Sequence, residues 1–83
     1  MHIRSPKELA LLIINQRKKL KLSQAAVGKL VGLKQQTISE FENNPKGTKL
    51  STLFFILSAV NLDINVLAKD EKNKLETQWK EEW

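Results

Sequence analysis

The spacing of apolar positions along this chain predicts four α-helices within its first 60 residues. In each segment apolar side chains recur every three or four positions, which gathers them on one face of a helix. Ser5 and Ser23 stand before the first two segments, where a hydroxyl can accept a free backbone N–H of the first turn. Gly32 follows the second segment, where a left-handed residue commonly ends a helix. The predicted helices cover residues 6–19, 24–31, 34–42 and 50–60.

A strand-like pattern follows the fourth predicted helix. Leu62, Ile64 and Val66 alternate with polar residues, which is typical of a β-strand. The chain offers this segment no partner strand, and a lone strand cannot satisfy its own backbone groups. We therefore expect it to pair with the same segment of a second copy, in a homodimer.

The composition bounds the class of protein. Eighty-three residues suffice for one small domain, and the chain has no cysteine and a single histidine. We therefore expect no disulfide, no metal site and no cofactor, and no nucleophile–base pair or carboxylate dyad suggests an enzyme. No apolar run is long enough to span a membrane and no signal peptide opens the chain, so we expect a cytoplasmic protein without a membrane partner.

Positive charge is concentrated in the predicted helical part. The formal net charge is +5. Residues 1–68 contain ten Lys and Arg against four Asp and Glu, whereas residues 69–83 carry a net charge of −1. A basic body suits a polyanion such as nucleic acid.

The exposed side of the third predicted helix has the residue types that read bases. Lys34 lies near the N-cap position, where Ser, Thr or Asp would be expected and a cation opposes the helix dipole. Gln can bond adenine at N6 and N7, Lys can reach guanine O6 and N7, and Ser can bond several bases. The alternative is an ordinary solvated polar face. The candidate base-reading residues are Lys34, Gln35, Gln36 and Ser39.

Other polar residues are candidates for contacts to DNA phosphates, which hold register without reading sequence. Lys18 and Lys19 end the first predicted helix. Lys46, Thr48 and Lys49 lie in a loop that contains Pro and Gly. The alternative is that both groups are simply solvated.

Residues 23–43, SQAAVGKLVGLKQQTISEFEN, resemble the Cro/C1-type (XRE) helix-turn-helix of phage repressors. The likeness extends from about Leu9 to Val60. The run GLKQQTISEFENNP, the TLFFIL run, the LDINVL segment and the terminal Trp are similar to HipB antitoxins in particular. The resemblance implies an all-α, lambda-repressor-like bundle of four helices, one short strand that pairs across a dimer, and a C-terminal tail.

The resemblance also implies roles for individual residues. Arg17 on the first helix matches a position that pairs with a Glu late in the recognition helix, where Glu42 stands. This pair is expected to be structural. Gln24, which opens the second helix, is expected to contact a phosphate.

The fourth predicted helix is apolar over most of its circumference, which indicates burial on more than one side. Its main apolar stripe comprises Leu50, Leu53, Phe54, Leu57 and Val60. Phe55 and Ile56 lie off this stripe, so they are candidate dimer contacts unless the first helix or the following strand covers them. The expected dimer interface comprises Phe55, Ile56, Leu62, Ile64 and Val66.

The resemblance divides the chain into a DNA-binding and dimerisation domain, 1–68, and a partner-binding tail, 69–83. Leu75, Trp79 and Trp83 are spaced four apart, as on one face of a helix. In HipB proteins the tail docks on the HipA-type Ser/Thr kinase toxin. Trp83 matches the terminal position of that tail, whereas Trp79 departs from the family pattern. The alternative is a frayed, marginal tail.

The resemblance implies a homodimeric repressor that binds a palindromic operator, acts as the antitoxin of a HipA-like kinase and represses its own operon at the nucleoid. Two alternatives remain. One is a stand-alone transcription regulator of the same fold without a toxin partner. The other is a protein-interaction module that has lost DNA binding.

Overall fold

The computed structural model describes residues 2–69 of the chain. Within them, helix α1 spans Pro6–Lys19, α2 spans Gln24–Val31, α3 spans Gln35–Asn43 and α4 spans Leu50–Ala59. A 3₁₀ turn, Pro45–Gly47, connects α3 to α4. The four predicted helices are therefore confirmed, with ends that differ from the sequence prediction by one residue at most.

Helix α1 begins with a side-chain cap that the sequence predicted. The Ser5 hydroxyl accepts a hydrogen bond from the backbone N–H of Glu8 at 3.1 Å, and Pro6 occupies the first helical position. The Glu8 carboxylate in turn accepts from the backbone N–H of Arg4 at 2.6 Å. Two otherwise unpaired N–H groups are satisfied in this way, which fixes where α1 starts.

The turn between α2 and α3 depends on two glycines. Gly32 adopts a left-handed backbone conformation, with φ of 73°, and ends α2. Inside α2, a Cβ added at Gly28 would lie 2.4 Å from the carbonyl oxygen of Leu33. The missing side chain lets the backbone N–H of Leu33 donate to Gly28 O at 2.8 Å. Gly28 therefore permits the close return of the chain that sets the direction of α3.

The core forms where α2 packs against α3 and α4. Leu9, Leu33 and Leu53 pack around it as partly buried neighbours. Its buried side chains are Ala10, Ile13, Val27, Ile38, Phe41, Ile56, Leu57 and Val60.

The core-facing side of helix α4 overlaps only in part with the predicted stripe: Leu53, Leu57 and Val60 face the core, whereas Leu50 and Phe54 are exposed. Ile56 is only 1% exposed, so its prediction as a dimer contact was wrong. The buried face runs through Leu53, Ile56, Leu57 and Val60, which follow one another at i, i+3, i+4 and i+7. Phe55 remains 51% exposed. Because α4 is apolar nearly all round, its sequence contains two possible stripes and packing decides between them.

Helix α4 ends in a Schellman-type cap centred on Asn61, whose φ is 59°. The backbone N–H of Leu62 donates to Leu57 O at 3.0 Å, and that of Asn61 donates to Ser58 O at 3.2 Å. Residues 62–68 then continue without helix or strand in this single chain. The intermolecular strand pairing stays a prediction, because its partner lies in a second copy.

Candidate nucleic-acid interface

Helix α3 presents a polar face to solvent. Lys34 adopts an extended backbone at the N-cap, with φ of −72° and ψ of 148°, and its side chain makes no capping hydrogen bond. Lys34, Gln35 and Gln36 are exposed, while Ser39 is half-buried. On the opposite side of the helix, Ile38 is fully buried. The four predicted base-reading residues thus lie at the N-cap of α3 or within this helix and remain at least partly accessible, and their contact with bases stays a prediction.

Two further residues on this face were not among the predicted base-reading residues. The Gln36 amide donates to the Glu40 carboxylate at 3.4 Å, and the Asn43 amide donates to the Ser39 hydroxyl at 3.2 Å. Both pairs are four residues apart, the spacing that makes side chains neighbours on a helix. The i, i+4 spacing in the sequence is the signal that could have identified Glu40 as the partner of Gln36 and Asn43 as the partner of Ser39.

A nearly buried ion pair joins the end of α3 to α1, as predicted. Arg17 Nε and Nη2 donate to the two carboxylate oxygens of Glu42 at 2.7 and 3.0 Å. The side chains of Arg17 and Glu42 are 12% and 7% exposed. Arg17 also donates to the backbone oxygen of Leu22 at 2.8 Å. The guanidinium therefore holds α1, the α1–α2 connection and α3 in fixed relation.

Gln24 links this pair to the polar face of α3. Its Nε2 donates to Glu42 Oε1 at 3.0 Å, while its Oε1 accepts from Gln35 Nε2 at 2.7 Å. The predicted role of Gln24 is a phosphate contact. Its bridging of Glu42 and Gln35 is a separate role that the sequence does not predict. One Nε2 proton of Gln24 is not used in these two bonds and remains available as a donor.

The predicted phosphate contacts fall into two separate groups. Lys18 and Lys19 lie in the last turn of α1. Lys46 instead lines a groove with Pro6 and Lys7, near the first turn of α1. Twelve residues separate positions 6 and 18, and at 1.5 Å per residue they are about 18 Å apart along the helix. Thr48 and Lys49 follow the 3₁₀ turn. The first group therefore lies near the end of α1 and Lys46 near its start, and their contact with DNA phosphates stays a prediction.

The predicted dimer contacts other than Ile56 remain at least partly accessible. Val66 is 85% exposed and Ile64 is 43% exposed, while Leu62 packs partly against the core. Gln16 on α1 donates to the backbone oxygen of Val60 at 3.0 Å, just before this segment leaves the helical body. This long-range contact was not predicted. The tail residues Leu75, Trp79 and Trp83 lie outside the described residues.

Other classes of site are not seen in the part of the chain that the structure describes. Residues 2–69 contain no group of three or more His, Cys, Asp or Glu side chains that could hold a metal ion. Among the helices of the same residues, none is long and apolar enough to cross a membrane.

A short turn at Gly32, followed by a helix with a polar exposed face, defines a helix-turn-helix protein. The helix-turn-helix family model matches residues 13–67. "Antitoxin HipB" of Escherichia coli (strain K12) is 38% identical over 82 residues, which cover 98% of this chain and 93% of that relative. The chain belongs to the HipB antitoxin family of helix-turn-helix proteins.

Solved structures agree with this assignment. The "HipB-O4 20mer complex" matches with a TM-score of 0.81 and 37% identity, covering 84% of this chain and 99% of that one. The "Structure of HipA-HipB-O2-O3 complex" matches with the same TM-score, identity and coverage. The fold and the sequence therefore lead to the same family, and the family is one of DNA-binding regulators rather than enzymes.

Proposed function

We propose that this protein is a sequence-specific DNA-binding repressor that acts as the antitoxin of a HipA-like Ser/Thr kinase and represses its own operon. The proposal rests on the exposed start of α3. Lys34, Gln35 and Gln36 are accessible to solvent there, whereas Ile38, on the other side of the helix, is fully buried. Lys and Gln are side chains that bond base edges in the major groove. A repressor of this kind acts in the cytoplasm, bound to DNA at the nucleoid.

Within this proposal, α3 enters the major groove and its first turn reads bases. The Arg17–Glu42 pair holds α3 on α1, so the reading face has one orientation relative to the bundle. Lys18, Lys19 and Gln24 on one side, and Lys46, Thr48 and Lys49 on the other, are proposed to contact backbone phosphates. Such contacts fix the register of the protein on the duplex.

The DNA-binding part is tested on the DNA upstream of the protein's own gene. Gln36→Ala is expected to weaken binding of the specific site by about 1–3 kcal/mol, the range for a bidentate base contact, without changing thermal stability. The matched control is Gln16→Ala, which removes a side-chain amide on α1 that donates to the backbone oxygen of Val60. Equal loss of affinity in both variants would contradict the assignment of α3 as the reading element.

A homodimer is proposed to form through residues 62–67. Ile64 and Val66 leave apolar surface exposed, and their backbone makes no ladder in the single chain. Pairing with a second copy would bury both and place two α3 helices on half-sites about 34 Å apart. Val66→Pro removes a donor from the proposed ladder and is expected to shift the mass measured by light scattering toward a monomer.

The control for that experiment is Leu30→Asp, because Leu30 is also an exposed apolar residue, at 62%, but lies on α2. It is expected to leave the dimer intact. A dimer that persists in Val66→Pro and dissociates in Leu30→Asp would move the interface away from residues 62–67.

The kinase-binding part is tested by co-purification with the product of the adjacent gene. The tail, with Leu75, Trp79 and Trp83 in its sequence, is the proposed anchor, since Trp is enriched at binding hot spots. A chain truncated after Leu75 is expected no longer to co-purify with a HipA-like kinase, but still to bind DNA. Failure of the full-length chain to bind such a kinase would favour the stand-alone regulator.

A further inference from the structure

Glu40 places a carboxylate on the side of α3 that faces away from the core. At about 3.6 residues per turn, Glu40 lies about 160° around the helix from the fully buried Ile38 but only about 40° from Gln36. Its side chain is exposed, and its Oε1 accepts from the Gln36 amide at 3.4 Å. Within residues 2–69, Glu40 makes no ion pair and its Oε2 accepts no hydrogen bond. One oxygen of this carboxylate is therefore free to bind a donor outside the protein.

A carboxylate in the major groove binds well only where a base supplies a donor. The groove lies between two rows of phosphates, so DNA repels a negative side chain and also removes part of its water. Guanine O6 and N7 and thymine O4 are acceptors, so they oppose the oxygens of Glu40. The donors in this groove are the N4 amino group of cytosine and the N6 amino group of adenine. A favourable contact of Glu40 therefore requires cytosine or adenine.

We propose that Glu40 selects a cytosine in each half-site by accepting a hydrogen bond from the N4 amino group of that base. Cytosine presents no acceptor of its own in the major groove, whereas adenine presents N7 beside its N6 amino group. A carboxylate oxygen that does not bind N6 would meet this N7, so adenine is the poorer partner. Acceptance from cytosine N4 is the base pairing typical of Glu and Asp side chains. Glu40 has this role only with α3 in the major groove, so the selection of cytosine rests on the proposed function.

The base pair that Glu40 selects differs from the one that faces Gln36. Four residues of α-helix separate the two side chains by about 6 Å along the axis, and successive base pairs of DNA are about 3.4 Å apart. Glu40 therefore faces a base pair one or two steps from that of Gln36. Because its carboxylate attracts cytosine and repels the acceptors of guanine and thymine, its removal should reduce base selection at this position alone.

The test uses the full-length protein and duplexes taken from the DNA upstream of its own gene, with each of the four base pairs placed in turn at every half-site position. Affinities are measured for the unsubstituted protein, for Glu40→Ala and for Glu40→Gln. Glu8→Gln is the matched control, because it removes an exposed carboxylate from α1 instead of α3. The measured quantity is the ratio of the affinity for cytosine to the affinity for each other base at a given position.

In Glu40→Ala, the preference for cytosine is expected to fall about tenfold at one position of each half-site, the usual scale for one base pair, and to stay unchanged elsewhere. Glu40→Gln is expected to shift the preference at the same position from cytosine to adenine, because a Gln amide complements adenine N6 and N7. Glu8→Gln is expected to strengthen binding of all duplexes by one factor, through net charge, and to leave every ratio unchanged.

Two results would overturn the role of Glu40 and leave the proposed function intact. One is specific binding by Glu40→Ala with ratios equal to those of the unsubstituted protein at every position. The other is a loss of selection at a position where the unsubstituted protein prefers a base other than cytosine. Absence of any sequence preference in the unsubstituted protein would instead contradict the proposed function, and the selection by Glu40 with it.

Discussion

Replacement of Arg17 by Met is expected to destabilise the fold far more than an ordinary surface substitution. Arg17→Met keeps the length of the side chain but removes the three hydrogen bonds to Glu42 and to the backbone oxygen of Leu22. Glu42 is then left as a carboxylate that is 7% exposed, without its cation. Breaking a buried pair from one side costs roughly 3–5 kcal/mol. Because the side chain of Arg17 is 12% exposed and the pair is not fully desolvated, we expect the free energy of unfolding to fall by about 3 kcal/mol, near the lower end of this range.

Urea unfolding followed by circular dichroism measures this loss as a shift of the midpoint at constant slope. The matched control is Lys19→Met, two positions along α1, whose exposed side chain is expected to contribute less than about 0.5 kcal/mol. The double variant Arg17→Met with Glu42→Met should be more stable than Arg17→Met alone, because no uncompensated charge remains. A loss below about 1 kcal/mol for Arg17→Met would refute the reasoning, since that is the range of a solvent-exposed pair.

Three further substitutions test other parts of the account. Ile56→Ala should cost about 2–5 kcal/mol in urea unfolding, whereas Phe55→Ala should cost clearly less, and the reverse order would contradict the observed face of α4. Gly28→Ala should lower both stability and DNA affinity, because its Cβ would meet a backbone oxygen at 2.4 Å; an unchanged melting temperature would show that the turn adjusts freely. Glu40→Gln should strengthen non-specific DNA binding by removing a carboxylate from the reading face, and Glu8→Gln is the control of equal charge change on α1. Equal gains in non-specific DNA affinity for Glu40→Gln and Glu8→Gln would show that only the net charge of the protein matters.

Local signals in the sequence were sufficient for the helices. Ser5, Ser23 and Gly32 act on backbone groups within a few residues of themselves, so their consequences can be read from the chain directly. The Arg17–Glu42 pair was predicted from family resemblance, and the structure contains it.

Features that depend on packing between distant segments were not predictable in the same way. Helix α4 offers two apolar stripes, and only its contact with α2 shows that Ile56 is buried and Phe55 is not. The bond between Gln24 and Glu42 spans 18 positions, and that between Gln16 and Val60 spans 44. Each bond joins residues of different helices or helix ends, and spacing rules apply only within one element, so none could reveal these contacts.

The segment 62–67 shows a different limit. Its alternating sequence indicates a strand, yet a strand requires a neighbour, and a single chain supplies none to residues 62–67 in the structure. The exposure of Val66 agrees with a surface that a second copy could cover. Its conformation in a dimer therefore follows from association and not from the sequence of the segment alone.

The central claim is that α3 reads a DNA sequence, and the most direct test is a comparison of two affinities. The unsubstituted protein is titrated against its proposed operator, taken from the DNA upstream of its gene, and against a scrambled duplex of equal length and composition, at physiological salt. A preference of at least about a thousandfold for the operator duplex is expected, as for other specific DNA-binding proteins. Equal affinity for both duplexes would contradict it, because only the sequence-independent attraction of a basic surface for phosphates would remain.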